Sequence, residues 1–209
     1  GRGRMGRSFQ SPPGLGLYLS VLWRTGLRTD TLPMVTPLAA VAVCRAIEEV
    51  CGLHCGIKWP NDLLLGGKKV CGMLLEMNAD EQSVHDVVAG IGINVHQKAF
   101  EGDIARTASS LDLLTGRTIR RADVVRAFLE EYEAVDALAK TGTNALMQAY
   151  RERSATLGQR VQVISATGSF TGTAMDVTDS GSLIVRGDDG KDREVLAADV
   201  SVRGLMGYA

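Results

Sequence analysis

Residues 56–77 read GIKWPNDLLLGGKKVCGMLLEM. Two apolar runs flank the paired glycines Gly66 and Gly67. Glycine reaches positive φ at little steric cost, so such a pair between apolar runs marks a tight hairpin. In the first run Pro60 removes a ladder donor and holds Trp59 extended. The stretch therefore predicts two strands of a meander, and the rest of the chain is read outward from it.

Upstream, LYLSVLWR at 17–24 is rich in aromatic and β-branched residues and predicts a strand. Residues 32–51 predict a helix, with Pro33 and Pro37 near its start and Gly52 at its end. Val41, Cys44, Ile47 and Val50 form its apolar face. Downstream, VHDVVAGIGINVH at 84–96 supplies a third strand of the meander, and a short helix is expected around Ser110–Leu114. Residues 122–139 predict a long amphipathic helix, with Val124, Val125, Phe128, Leu129, Tyr132 and Val135 at helical spacing, and 143–153 a second. From Gly158 the texture changes to short alternating runs: RVQVIS, GSFTGTAMDV, GSLIVRG and REVLAADVSVR. Four or five such strands predict a small β-barrel. The chain is thus expected to divide into domains at 1–156 and 157–209.

With 209 residues and 45% hydrophobic content, the chain can bury a substantial core. Its net charge of −1 argues against nucleic acid or an anionic membrane as the general partner. No apolar run is long enough to span a bilayer, and no signal-peptide pattern is visible. The sparse cysteines Cys44, Cys51, Cys55 and Cys71 fit reduced thiols, hence a cytoplasmic location. Cys51 and Cys55 with His54 lack the spacing and the fourth ligand of a zinc site, so buried thiols are expected. None of the three histidines sits in a catalytic-triad pattern.

The positive charge is local. GRGRMGR at 1–7 places Arg2, Arg4 and Arg7 among glycines. A glycine-spaced loop can aim several N–H groups at one anion, and arginine adds a planar fork for phosphate or carboxylate. The same letters also suit a disordered RNA-binding tail. The run leads into SFQSPPGLGLYLS, a turn and strand, which favours a folded anion site. Asn61 and Asp62 in KWPND can face a ligand or bind a metal, although five such letters alone read as a plain turn. Lys69 begins a strand, on one face with Cys71 by strict alternation, and Gly72 lies inside it. A mid-strand glycine often marks close approach of a ligand. A solvated hairpin lysine is the simpler reading of Lys69. Gly90 and Gly92 likewise mark something packed against the next strand, a ligand or another piece of backbone.

Taken together, these clusters resemble the biotin protein ligases. The family signature Gly-Arg-Gly-Arg-x-Gly-Arg-x-(Trp/Phe) stands at Gly1–Phe9, KWPND at 58–62, Lys-x-x-Gly-x-Leu-x-Glu at Lys69–Glu76, and Gly-Ile-Asn at Gly92–Asn94. The closing Asp199-Val200-Ser201-Val202-Arg203 is similar to the family's Glu-(Ile/Val)-Ser-x-Arg, with aspartate for glutamate. The resemblance implies an α+β protein. Its catalytic domain would have a mixed β-sheet related to class II aminoacyl-tRNA synthetases, followed by an SH3-like C-terminal barrel. It also implies an ATP- and Mg²⁺-dependent enzyme that makes biotinyl-5′-AMP and transfers biotin to a lysine of a biotin carboxyl carrier protein. Arg2, Gly3, Arg4, Lys69 and Gly72 would bind biotin, with Arg4 and Lys69 catalytic. Arg4, Arg7, Phe9, Asn61, Asp62, Asn94 and Arg203 would serve ATP.

The family's Ser-Thr-Asn segment and a glutamine that precede its Arg–Gly loop have no counterpart here. The first part of the catalytic domain is therefore expected to be missing, and activity to depend on it. No DNA-reading helix is seen, and a homodimer through a sheet edge is compatible with the meander. A lipoate–protein ligase shares the chemistry, but its Arg-Arg-x-x-Gly-Gly-Gly-type loop is not present. A non-catalytic biotin-sensing module is the rival from another class.

Overall fold

The computed structural model describes residues 1, 3, 9–24, 34–79, 84–140, 143–166, 168–197 and 200–204. Two five-stranded antiparallel sheets, joined by helices, make a mixed α+β fold. The first sheet runs β1 (Gly16–Arg24), β5 (Val84–Asn94), β4 (Lys68–Ala79), β3 (Asp62–Leu65) and β2 (Cys55–Lys58) in spatial order. A mixed sheet was expected from the resemblance. Each ladder among the described strands of this sheet is instead antiparallel, because hairpins join β2 to β3 and β3 to β4, and β5 returns alongside β4. The two glycines of the β3–β4 turn have φ of 56° at Gly66 and 75° at Gly67, the left-handed values that made them a turn signal.

One face of this sheet carries helix α1 (Val35–Cys51), which is buried along nearly its whole length. The predicted apolar positions Val41, Cys44 and Ile47 are fully buried. Gly52 ends the helix in a left-handed conformation, its N–H returning to the Glu48 carbonyl at 2.8 Å. The short helix α2 (Leu111–Thr115) is capped by Ser110, whose hydroxyl accepts from the Leu113 N–H. Helix α3 (Arg121–Lys140) packs across α1 through Val124, Phe128 and Val135. Leu129, expected on that apolar face, is instead 54% exposed. Helix α4 (Thr143–Glu152) leads to the second sheet.

The second sheet orders β10 (Val200–Gly204), β6 (Arg160–Ser165), β7 (Gly168–Val177), β8 (Leu183–Gly187) and β9 (Asp192–Val195). Its inward side chains alternate as predicted, with Val161, Val163, Ala174, Leu183, Val185 and Val202 buried. The run 193–203 breaks in two: β9 continues the meander, whereas β10 pairs with β6 on the opposite edge.

Candidate functional site

The other face of the first sheet carries a row of four residues in register. Asp62 pairs with Gly72, Gly72 with Gly92, and Gly92 with Tyr18. The two glycines leave a bare floor between Asp62 and Tyr18. The Phe9 ring fills part of it: a Cβ at Gly92 would stand 2.8 Å from Phe9 Cε1, and one at Gly72 3.3 Å from Phe9 Cε2. Phe9 also meets Tyr18 edge to face, with ring centroids 6.5 Å apart. The space above Gly72, assigned from the sequence to a ligand, is here shared by Phe9 and Lys69.

Lys69 extends over Gly72, with Cε and Nζ both 3.3 Å from where a Cβ would be. Its ammonium lies 2.7 Å from Asp62 Oδ1, and both side chains keep about a third or less of their exposure. Strict alternation placed Lys69 on the face of Cys71, and that expectation fails. The β3–β4 register shifts between Leu63 and Leu64, and Val70 and Cys71 are both fully buried. The irregularity turns Lys69 to the Gly72 face. Its backbone is held by residues 107–109: Lys69 N–H donates to the Thr107 carbonyl at 2.7 Å, and Ser109 N–H to the Lys69 carbonyl at 3.0 Å. Cys71 lies beneath the floor, where burial and then the Asp62 charge push its thiol pKa upward.

The KWPND motif is a turn between β2 and β3, with a cis Trp59–Pro60 peptide. Asn61 is buried: its Nδ2 donates to the Met73 carbonyl, while the Met73 N–H donates to the Asn61 carbonyl at 3.0 Å. Asp62, the next residue, is the one that reaches the site. Asn94 is also buried, its Nδ2 donating to the Ser109 carbonyl at 3.1 Å and its Oδ1 accepting from Gln97 Nε2 at 3.2 Å. That chain fixes both amides, since a carbonyl can only accept. Among the described residues it leaves Gln97 Oε1 buried without a partner. Gln97 also lines a cavity of about 300 Å³ with Gln10, Pro12, Leu15, Lys98, Ala99 and Phe100.

Gly3 is half-buried. Arg2, Arg4 and Arg7 lie outside the described residues. Arg203 is exposed on β10, and no hydrogen bond or ion pair among the described residues joins it to Lys69, Asp62 or Asn94. Lys69, Asp62, Gly72 and Phe9 are thus brought together, Asn61 and Asn94 brace the loops around them, and Arg203 stands apart. Sequence reading missed Tyr18 and Gln97. Tyr18 shares a strand face with Gly16, a spacing visible in the sequence, but nothing local marks Gln97.

The four thiols are buried and free. Cys44 donates to the Cys55 carbonyl at 2.9 Å, and His54 Nδ1 lies 2.8 Å from Glu48 rather than at a shared metal position.

Comparison with known proteins fits this geometry. Residues 1–94 match the biotin/lipoate A/B protein ligase family, and residues 156–203 the biotin protein ligase C-terminal domain. A biotin–acetyl-CoA-carboxylase ligase of Paracoccus denitrificans is 32% identical over 212 residues, covering 98% of this chain and 87% of the relative. The chain belongs to the biotin protein ligase family. A bifunctional ligase/repressor of Bacillus subtilis is 35% identical across 97% of the chain, which spans 63% of that relative's length. Among solved structures of the family, the Aquifex aeolicus biotin protein ligase in complex with biotin and ATP matches with a TM-score of 0.83 at 28% identity. That match covers 97% of this chain and 84% of the other.

Proposed function

We propose that the protein activates biotin with ATP as biotinyl-5′-AMP and transfers the biotinyl group to a lysine of a biotin carboxyl carrier protein. The observation that carries this reading is the Lys69 ammonium, held by Asp62 above a two-glycine floor in a chain whose family relative binds biotin and ATP. In the first step the biotin carboxylate attacks the α-phosphate of ATP and pyrophosphate leaves. Two anions must approach, which is prohibitive without cations in a partly desolvated site. Lys69 supplies one, and Arg2, Arg4 and Arg7 of the glycine-spaced loop supply others. In the second step the carrier lysine attacks the mixed anhydride carbonyl and AMP leaves. No covalent enzyme intermediate is needed, so positioning and charge stabilisation carry the rate.

Biotin lies along Gly72 and Gly92 with its carboxylate at Lys69, which requires Phe9 to share or leave the floor. The base of ATP is assigned to the cavity whose wall includes Gln97. Arg203 reaches the nucleotide from the second sheet. Mg²⁺ travels with the triphosphate in such chemistry. No group of three or more histidine, cysteine, aspartate or glutamate side chains gathers to hold a metal among the described residues, so no step is assigned to the ion.

The domains are assigned as 1–156 and 157–209, with the second sheet curled into an SH3-like barrel and the first related to class II aminoacyl-tRNA synthetases. The short strands around one buried stripe and the match over residues 156–203 support the barrel. The protein is assigned to the cytoplasm on its reduced thiols; no helix among the described residues is long and apolar enough to cross a membrane. The test is intact-mass analysis of a carrier domain after incubation with the protein, ATP and biotin. One biotinyl group on one lysine is expected, and lipoyl transfer without biotinyl transfer would overturn the assignment.

A further inference from the structure

The Trp59–Asp62 turn is clamped from two directions. From β4, Met73 fixes Asn61 as described above. From the other side, the Trp59 N–H donates to Thr156 Oγ1 at 2.9 Å, and the Trp59 indole Nε1–H donates to the Gly181 carbonyl at 2.9 Å. The Tyr150 hydroxyl donates to the Pro60 carbonyl at 3.2 Å. Trp59 is 2% exposed and Thr156 is fully buried, so water does not replace the Thr156 hydroxyl.

The Gly181 carbonyl is itself immobilised. Gly181 sits in the β7–β8 turn at a φ of 81°, its N–H donating to the Thr178 carbonyl at 2.9 Å. Arg151 of α4 holds the same turn, donating to the Val177 carbonyl at 2.8 Å and to Asp179 at 2.7 Å. A continuous set of bonds therefore runs from α4 through the β7–β8 turn to Trp59. Asp62 follows three residues on.

Lysine carries its charge on a flexible four-carbon stem, so a lysine alone does not define where its ammonium lies. Here Asp62 selects the position, and the turn selects the position of Asp62. We propose that Thr156 and the Gly181 carbonyl are positioning groups for the Asp62–Lys69 pair, so that residues after α4 set the geometry of that pair. This rests on reading Lys69 as the cation of the adenylate-forming step.

An indole buried only for packing would be served by any large ring. The two N–H groups aimed at acceptors 97 and 122 residues away are what a positioning role requires. Displacement of a reacting group by about 1 Å costs on the order of 10² in rate, so loss of one clamp bond should be visible in turnover.

The experiment compares Thr156→Val, which keeps the shape and loses the acceptor, with Thr156→Ser, which keeps the hydroxyl. Trp59→Phe removes the indole donor together with part of the ring's packing, so the Thr156 pair carries the comparison. In biotin-dependent ATP–pyrophosphate exchange, Thr156→Val and Trp59→Phe should each lower kcat about tenfold or more. KM for biotin should stay near the wild-type value, and Thr156→Ser should recover most of kcat. Equal kcat in the valine and serine variants, or a change confined to KM, overturns the proposal. In parallel, amide hydrogen exchange over residues 59–65 is measured without any substrate. Thr156→Val should speed exchange there and leave β5 unchanged. Unchanged protection of 59–65 overturns the clamp whatever the enzyme assay gives. If the wild type shows no biotin-dependent exchange while the hydrogen-exchange result holds, the catalytic reading fails and the clamp stands.

Discussion

Gly92 in the first sheet and Gly172 in the second are both mid-strand glycines where a Cβ would collide with a neighbour. The neighbours differ. At Gly172 an added Cβ would stand 2.3 Å from the Arg186 carbonyl oxygen of the adjoining strand, and at Gly92 it would meet the Phe9 ring at 2.8 Å. Gly172 clears backbone, so that β7 and β8 can close on each other. Gly92 clears a side chain in a site. The same sequence signal thus makes room for backbone in one sheet and for a side chain in the other, and only the identity of the obstructing atoms separates them.

The charged groups divide the same way. In the second sheet Arg160, Arg186 and Arg193 pair with Asp188, Asp192 and Asp189 in the open, where each pair stabilises little. In the first sheet the Lys69–Asp62 pair is half-buried over the glycine floor.

The largest effect is expected at that pair. Lys69→Ala should lower biotin-dependent exchange by about 10² to 10³, comparable to removing one charge-stabilising donor from an active site. The circular dichroism spectrum should stay native. Unchanged exchange would make Lys69 a solvated hairpin lysine and erase the contrast between the sheets.

Next comes Gly172→Ala, which forces the β8 backbone aside and should cost about 1–3 kcal/mol in denaturant unfolding. Activity per folded molecule should persist. Gly92→Ala should cost less, about 1 kcal/mol, because the ring of Phe9 can swing away. It should nonetheless impair biotin binding measured by calorimetry. Reversal of this order, with Gly92→Ala the more destabilising and biotin binding intact, would break the comparison.

The smallest effect concerns the thiols. Burial pushes Cys51 up to about 11, and Cys55 and Cys71 are also raised, Cys55 first through its hydrogen bond with Cys44 and Cys71 first through burial. The folded state therefore holds these protons where the unfolded chain releases them. Their contribution to stability is complete below pH about 9, the unfolded thiol range, and is lost as pH rises toward 11. Urea midpoints at pH 8 and pH 10 should differ in that direction, and thiol alkylation of the native protein at pH 8 should be slow. A higher midpoint at pH 10 would contradict it.

Much of the fold is legible in the sequence because it is local. The Gly66–Gly67 turn, the Gly52 helix stop and the alternation of β6 and β8 each follow from neighbours a few residues apart. The motifs also located Lys69, Asp62 and Gly72. The face of Lys69 is not legible in the sequence because the β3–β4 register shift between Leu63 and Leu64 breaks the alternation, which no strand period reveals. Leu129 fits a helical face by spacing alone, yet α1 covers only part of that face. The partners of Trp59 lie about a hundred residues away, so the clamp has no local signature. Asn61 and Asn94 are motif residues, and the sequence gives no means to tell an amide that braces a loop from one that meets a ligand.

The most direct test of the central claim is pyrophosphate exchange into ATP by the wild-type protein, measured with biotin, with lipoate and with neither. Exchange that depends on biotin is expected. Exchange driven by lipoate alone, or at the same rate without either acid, would contradict it.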